Sequence, residues 1–190
     1  MEFLTQDELL AVLKTAYEKS HRDHLLILMA YRHGLRASEV TGLRLQDIQG
    51  GYLTVQRKKR SLKTIQPILP HAGQPLLNEA RHLAAWMRER PSHLGDALFP
   101  SEKGGSLLPT SFTAIFHKYA EIAGLAPNKR HPHALKHSCV THLLNNGMEI
   151  AFVKEYVGHA DISSTMRYAH VSGVDANERA ATAFINAFAR

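Results

Sequence analysis

The chain has 190 residues, with 23 Lys and Arg against 17 Asp and Glu, a formal charge of +6 that 13 histidines can raise below neutrality. Its 44% hydrophobic and 21% charged composition is that of a globular domain and excludes a disordered or collagen-like chain. No apolar run approaches the roughly 20 residues of a membrane span, residues 1–5 lack a basic signal-peptide flank, and Cys139, the single cysteine, can form neither an intrachain disulfide nor a zinc–thiolate cluster, so a reducing cytoplasmic setting is expected.

In chain order, Thr5-Gln6-Asp7-Glu8 forms a capping box, in which hydroxyl and carboxylate satisfy free amides of a first turn. Leu9, Leu10, Leu13 and Tyr17 then form the buried stripe of a helix. A second helix runs from about Asp23 to His33 and is closed by Gly34, and a short third one begins at Ser38. The period then changes. Residues 52–56 and 64–69 alternate as strands around the basic turn 57–63, a β-hairpin with a charged tip, and 45–48 is a candidate third strand. Helical periodicity returns over 75–89 and stops before Pro91, and the Pro- and Gly-rich stretch 91–109 reads as a surface loop. Helices follow at about 110–123, 133–146, 149–157, 161–170 and 174–188, several of them stopped by glycine. The expected architecture is α+β, predominantly α-helical with a small antiparallel sheet, in one domain spanning 1–190.

The chemistry begins at His131-Pro132-His133-Ala134-Leu135-Lys136-His137. Pro132 suits a first helical turn, which puts residues 133, 136 and 137 on one face. Basic side chains at the positive end of a helix dipole repel it, and a bound phosphate resolves the conflict. His133 and His137, at i and i+4, have the spacing of zinc ligands but no acidic partner motif or second ligand pair, and no metal or other cofactor is expected. Downstream, Gly158-His159 precedes Tyr168 by nine residues counted from the histidine; upstream, Gly34-Leu35-Arg36-Ala37-Ser38-Glu39 sets an arginine between two helices.

These motifs, in this order, resemble the tyrosine site-specific recombinases, the phage integrase family, over nearly the whole chain. The resemblance implies the catalytic fold of that family. Residues 34–39 are similar to its first arginine box, with Arg36 as the first catalytic arginine, and the hairpin is similar to the one that carries its catalytic lysine. Eight residues before Pro67, the family's usual spacing, stands Lys59, with Lys58 and Lys63 as alternatives. Residues 133–137 resemble the His-x-Leu-Arg-His box, Gly158-His159 the Leu-Gly-His motif, and Tyr168 stands at the nucleophile's position. One departure is Lys136, where the family has a second arginine; lysine offers one compact charge in place of a planar fork.

The implied chemistry is metal-free transesterification. Tyr168 attacks a DNA phosphate to leave a 3′-phosphotyrosyl link, Arg36 and Lys136 stabilise the transition state, His133 takes the tyrosine proton, His159 hydrogen-bonds a non-bridging oxygen, and Lys59 protonates the departing 5′-oxygen. The implied partners are double-stranded DNA and further copies of the chain, a dimer on one site and a tetramer in synapsis, with no membrane partner. The last helix, with Ala180, Ala183, Phe184, Ala187 and Phe188, is implied to be exchanged between protomers. Expected phosphate contacts are Arg57, Lys58, Arg60, Lys63, Lys129 and Arg130. The family's usual N-terminal clamping domain is expected to be absent, the chain being either an excised catalytic fragment or a short recombinase like the fimbrial invertases. A catalytically impaired DNA-binding regulator of the same fold is the alternative function.

Overall fold

The computed structural model describes residues 2–57 and 62–166 of the chain. Its centre is α2 (His21–Arg32), whose residues Leu25 to Ala30 are all shielded from solvent. A helix that is apolar all round must be wrapped on every side, and α2 packs against α1 (Gln6–Tyr17), α4 (Glu79–Glu89) and α6 (Pro132–Asn145). Helix α1 starts with the expected capping box, Thr5 Oγ1 accepting from the Glu8 amide at 3.2 Å while Glu8 Oε2 accepts from the Thr5 amide at 2.8 Å. Its buried face is Leu9, Val12, Leu13 and Ala16. Tyr17, expected in that stripe, turns outward to stack on His21.

After the one-turn helix α3 (Ala37–Val40), the chain forms a three-stranded antiparallel sheet in the order β1 (Ile48–Gln49), β2 (Tyr52–Val55), β3 (Thr64–Pro67). The candidate strand at 45–48 is mostly a 3-10 turn, Leu45–Asp47, that leads into β1. Strand β2 turns Leu53 and Val55 inward, as alternation requires. Strand β3 turns Thr64 and Gln66 inward and leaves Ile65 exposed, so its inner face is polar.

The segment 91–109 runs mostly at the surface as expected, but its residues 97–100 and Leu107 turn inward. Ala97, Leu98 and Phe99 are buried, Leu98 pairs through its amide with the Leu43 carbonyl, and the Trp86 indole donates to the Leu98 carbonyl at 2.8 Å. The Arg90 guanidinium donates to the carbonyls of Ala97 and Gly95. Prolines and glycines shaped this segment, but bonds from Trp86 and Arg90 hold its middle, around Ala97 and Leu98, as part of the core. Helix α5 (Pro109–Ile122) follows, sending Phe112 and Phe116 into the main core, and α6, α7 (Ile150–Tyr156) and α8 (Ser163–Met166) complete the described chain. The end of the helix expected at 161–170, residues 167–170, and all of that at 174–188 with its apolar stripe, lie outside the described residues.

Two histidines are buried where α2 meets α4. His24 Nδ1 donates to the Leu13 carbonyl, and its ring lies 4.2 Å from that of His82 between centroids. Burial pushes His24 down to about 4, and burial also lowers His82. A depressed folded value means that stability is complete above about 6.5 and is lost as pH falls toward 4. Urea unfolding at pH 5 should show a stability lower than at pH 7.5, with His24 alone accounting for about 2 kcal/mol. His24→Gln should shrink that difference; an unchanged one would place the acid sensitivity elsewhere.

Candidate active site

Helix α2 ends in a left-handed glycine. Gly34 has φ +57°, and a side-chain carbon there would come within 2.9 Å of Val157 Cγ1, so only glycine lets the α2 end meet the turn after α7. The chain then swings out at Arg36, which caps α3. Its amide donates to Glu39 Oε2 and its Nη1 to Glu39 Oε1, both at 2.9 Å. This leaves the Arg36 side chain 27% exposed with its charge held in place by a carboxylate fully removed from solvent.

Glu39 also holds Arg57, which enters from the end of β2 with its side chain wholly buried. Burial alone would raise the Glu39 carboxyl; the Arg36 amide and the Lys136, Arg36 and Arg57 charges outweigh it and hold the group below the usual carboxylate range. Arg57 spreads its donors over the carbonyls of His33 (2.9 Å), Gly34 (3.2 Å) and Tyr156 (3.2 Å) and the Thr64 hydroxyl (3.1 Å). Arg57 is therefore not a surface phosphate contact. A basic run between two strands reads as a solvated turn, whereas the polar inner face of β3 and three backbone carbonyls draw Arg57 inside.

Lys136 comes up from α6 into the same space. Its Nζ donates to the Gly34 carbonyl at 2.8 Å and to Val157 O at 3.4 Å. Burial first, then the Arg57 and Arg36 charges, push its ammonium down to about 7, against a smaller opposing pull from Glu39. His159 follows the Gly158 turn, its ring buried and Nδ1 3.0 Å from the Thr165 hydroxyl. Burial and then the charges of Lys136, Arg36 and Arg57 push it down to about 4, so it is neutral at pH 7. Arg36, Lys136 and His159, from motifs at 34–39, 133–137 and 158–159, thus share one electrostatic environment.

The other expected residues fare differently. His133 is exposed on the first turn of α6, three residues before Lys136. Among the described residues no three His, Cys, Asp or Glu side chains gather as metal ligands would. Lys63 is exposed. Lys129 is engaged with Glu8 at 2.8 Å and Arg130 with Glu121 at 2.6 Å, so both would have to exchange a carboxylate for a phosphate. Lys58, Lys59, Arg60 and Tyr168 lie outside the described residues.

Sequence reasoning gave no role to Glu39, Gln66 or Thr165. Glu39 stands three residues after Arg36, the capping-box spacing, and that was its visible signal. Gln66 and Thr64 were marked by polarity at alternate positions of β3, a pattern that needs buried polar partners. Gln66 Nε2 donates to the Tyr156 carbonyl at 2.7 Å, and its Oε1 lies 3.1 Å from His33 Nδ1, whose other nitrogen meets Glu79 at 2.6 Å.

The phage integrase family matches residues 2–173 of this chain. The chain belongs to that family, the tyrosine site-specific recombinases. Among relatives, the type 1 fimbriae regulatory protein FimB of Escherichia coli K12 is 34% identical over 173 residues, covering 87% of this chain and 82% of FimB. Among solved structures, the XerH recombinase in a post-cleavage complex with a palindromic difH substrate superposes with a TM-score of 0.74 at 23% identity, over 90% of this chain and 50% of XerH. A λ integrase tetramer bound to a Holliday junction gives 0.69 at 20%, over 88% and 47%. These two likenesses concern the fold, and the chain spans about half the length of either recombinase. Within this integrase fold, the Arg36–Glu39–Arg57 cluster is an internal ion-pair network.

Removing one member of a buried pair costs about 3–5 kcal/mol, because the other charge is stranded. Glu39→Gln should therefore lower the unfolding free energy extrapolated from urea denaturation by that order, with a lower midpoint. A midpoint within error of the wild type would mean that Arg57 does not depend on Glu39.

Proposed function

We propose that the chain cleaves and rejoins DNA strands at specific sites through a covalent link on Tyr168. Family membership supports the reaction class. The observation that carries the site is the meeting of Arg36, Lys136 and His159 around the Gly34 and Gly158 turns, three groups able to hold the non-bridging oxygens of one phosphate. Extra negative charge develops on those oxygens as the phosphorus becomes five-coordinate, and preorganised donors stabilise it.

In this reading the Tyr168 hydroxyl oxygen bonds to phosphorus while the bond to the 5′-oxygen breaks. His133 accepts the tyrosine proton and Lys59 donates one to the leaving oxygen, giving a 3′-phosphotyrosyl enzyme and a free 5′-hydroxyl. The reverse attack by a 5′-hydroxyl restores the backbone without an external energy source. Neutral His159 keeps its proton on Nε2, facing the phosphate, when the Thr165 hydroxyl donates to Nδ1. No step calls on a metal. Double-stranded DNA is the substrate, gripped at its backbone by Lys58, Arg60 and Lys63, with Lys129 and Arg130 after exchange of partners. Working assemblies of two and four copies would then place paired sites together, as a λ integrase tetramer sits on its junction.

A second reading rests on Lys136: with a lysine in place of the second arginine, the chain would bind DNA as a regulator without transferring strands. Covalent capture separates the two. A pool of nicked duplexes with randomised centres should yield a protein–DNA adduct on a denaturing gel, and Tyr168→Phe should abolish the adduct while leaving anisotropy-detected binding of the same pool intact. An adduct surviving in Tyr168→Phe would move the nucleophile elsewhere, and no adduct from the wild type would favour the regulator.

Lys136 sets the pH dependence. Its folded value lies below that of a free lysine, so the charge that grips phosphate is present below about 7 and is lost as pH rises. At limiting DNA, the wild-type rate of adduct formation should fall above that pH, whereas Lys136→Arg should stay flat and keep or exceed the wild-type rate. A steep loss in Lys136→Arg would mean that the site is built to the shape of lysine.

A further inference from the structure

Arg57 is the best-anchored cation among the described residues, and nothing in the proposed chemistry uses it directly. Its guanidinium reaches three separate stretches of chain. One is the α2 end, through the carbonyls of His33 and Gly34; another is the α7 end, through the Tyr156 carbonyl; the third is the inner face of β3, through Thr64 and, at 3.5 Å, Gln66. It shares Glu39 with Arg36 and the Gly34 carbonyl with Lys136. Gly158, in the motif that leads to His159, has φ +68°, and a side-chain carbon there would lie 2.8 Å from Arg57 Cγ and 3.0 Å from the Leu62 carbonyl. The glycine of the Gly-His motif is therefore shaped around the arginine of the hairpin.

We propose that Arg57 is a positioning residue for strand transfer, fixing the hairpin, the Gly34–Arg36 turn and the Val157–His159 turn relative to one another so that Arg36, Lys136 and His159 address one phosphate. The inference rests on the recombinase reading and adds to it a residue that never touches DNA. A planar guanidinium suits the task because its fork of five donors can satisfy several carbonyls in fixed directions, which an ammonium cannot do. Charge and geometry are separable here. The groups facing Lys136 are Arg57 from the hairpin, Arg36 and Glu39 from the turn and α3, Cys139 from its own helix and His159 from the turn after α7.

The test compares Arg57→Lys, Arg57→Met and the milder Thr64→Val in the full chain. The readouts are adduct formation and anisotropy on the randomised duplex pool, thermal melting, and the Lys136 titration followed by carbon NMR of lysine labelled at Cε. Misplacement of reacting groups by an ångström costs about 100-fold in rate, so folded Arg57→Lys and Arg57→Met should lose adduct formation on that order with DNA affinity unchanged. Thr64→Val should lose less. Lys136 should keep its midpoint near 7 in Arg57→Lys, which preserves the charge, and move upward in Arg57→Met. Wild-type capture rates in the folded variants, or affinity falling in step with capture, would overturn the proposal. If both Arg57 variants fail to fold, Thr64→Val decides by the same comparison. If the wild type itself captures no DNA, the recombinase reading fails, and the place of Arg57 in the cluster is then judged by whether the Lys136 midpoint moves in Arg57→Met.

Discussion

The buried pair of Arg57 and Glu39 is the constraint on which this site depends. Neither side chain reaches solvent, and each would be costly alone. Together they are tolerable only because every remaining donor and acceptor is met: Glu39 by the amide and side chain of Arg36, Arg57 by carbonyls and by the polar face of β3. The consequence is rigidity where the motifs meet. The turn at Gly34 cannot move without breaking its bond to Arg57, and the turn at Gly158 lies so close to Arg57 that a side-chain carbon there would come within 2.8 Å of its Cγ. Helices α2, α6 and α7 bring the turns near one another, and the ion pair sets their final relation.

That arrangement has an electrostatic price. Arg36, Arg57 and Lys136 are gathered around one described carboxylate, and the least firmly charged of them, the lysine, yields. His159 yields as well and stays neutral, so it can act as a hydrogen-bond donor without adding to the repulsion. A phosphate entering the cluster relieves the conflict and returns a proton to Lys136. Binding would thus be linked to proton uptake near neutrality, a coupling that an arginine at 136 would not show, since its guanidinium stays charged.

How much of this could be read beforehand varied with the kind of signal. The α+β architecture, the hairpin and most helices were visible in the period of apolar residues and in glycines such as Gly34 and Gly158. Arg36, Lys136 and His159 were visible because each sits in a motif. The inward course of Arg57 was not, because a run of basic residues between two strands reads as a solvated tip unless one notices that Thr64 and Gln66, not Ile65, face the core. The stretch 91–109 misled for a similar reason. Its prolines and glycines signal irregular backbone correctly, but irregular backbone can be buried when a neighbour such as Trp86 or Arg90 satisfies its carbonyls. Tyr17 lies outside the buried face of Leu9, Val12, Leu13 and Ala16 and stacks on His21 instead. Tyr168 and Lys59 rest on motif spacing alone.

The polar inner face of β3 also bears on how the hairpin keeps its register. In most two-sided strands a one-residue slip is penalised because it turns apolar side chains outward. Here the same slip would turn Ile65 and Pro67 inward, and their side chains offer no acceptor to the guanidinium and no amide to the Tyr156 carbonyl. The pairing of Leu53 with Gln66 and Val55 with Thr64 is thus selected by hydrogen-bonding demand and not by greasiness. Substitutions that merely conserve hydrophobicity along this strand would leave it free to shear, whereas the outward residues carry no such hydrogen-bonding demand.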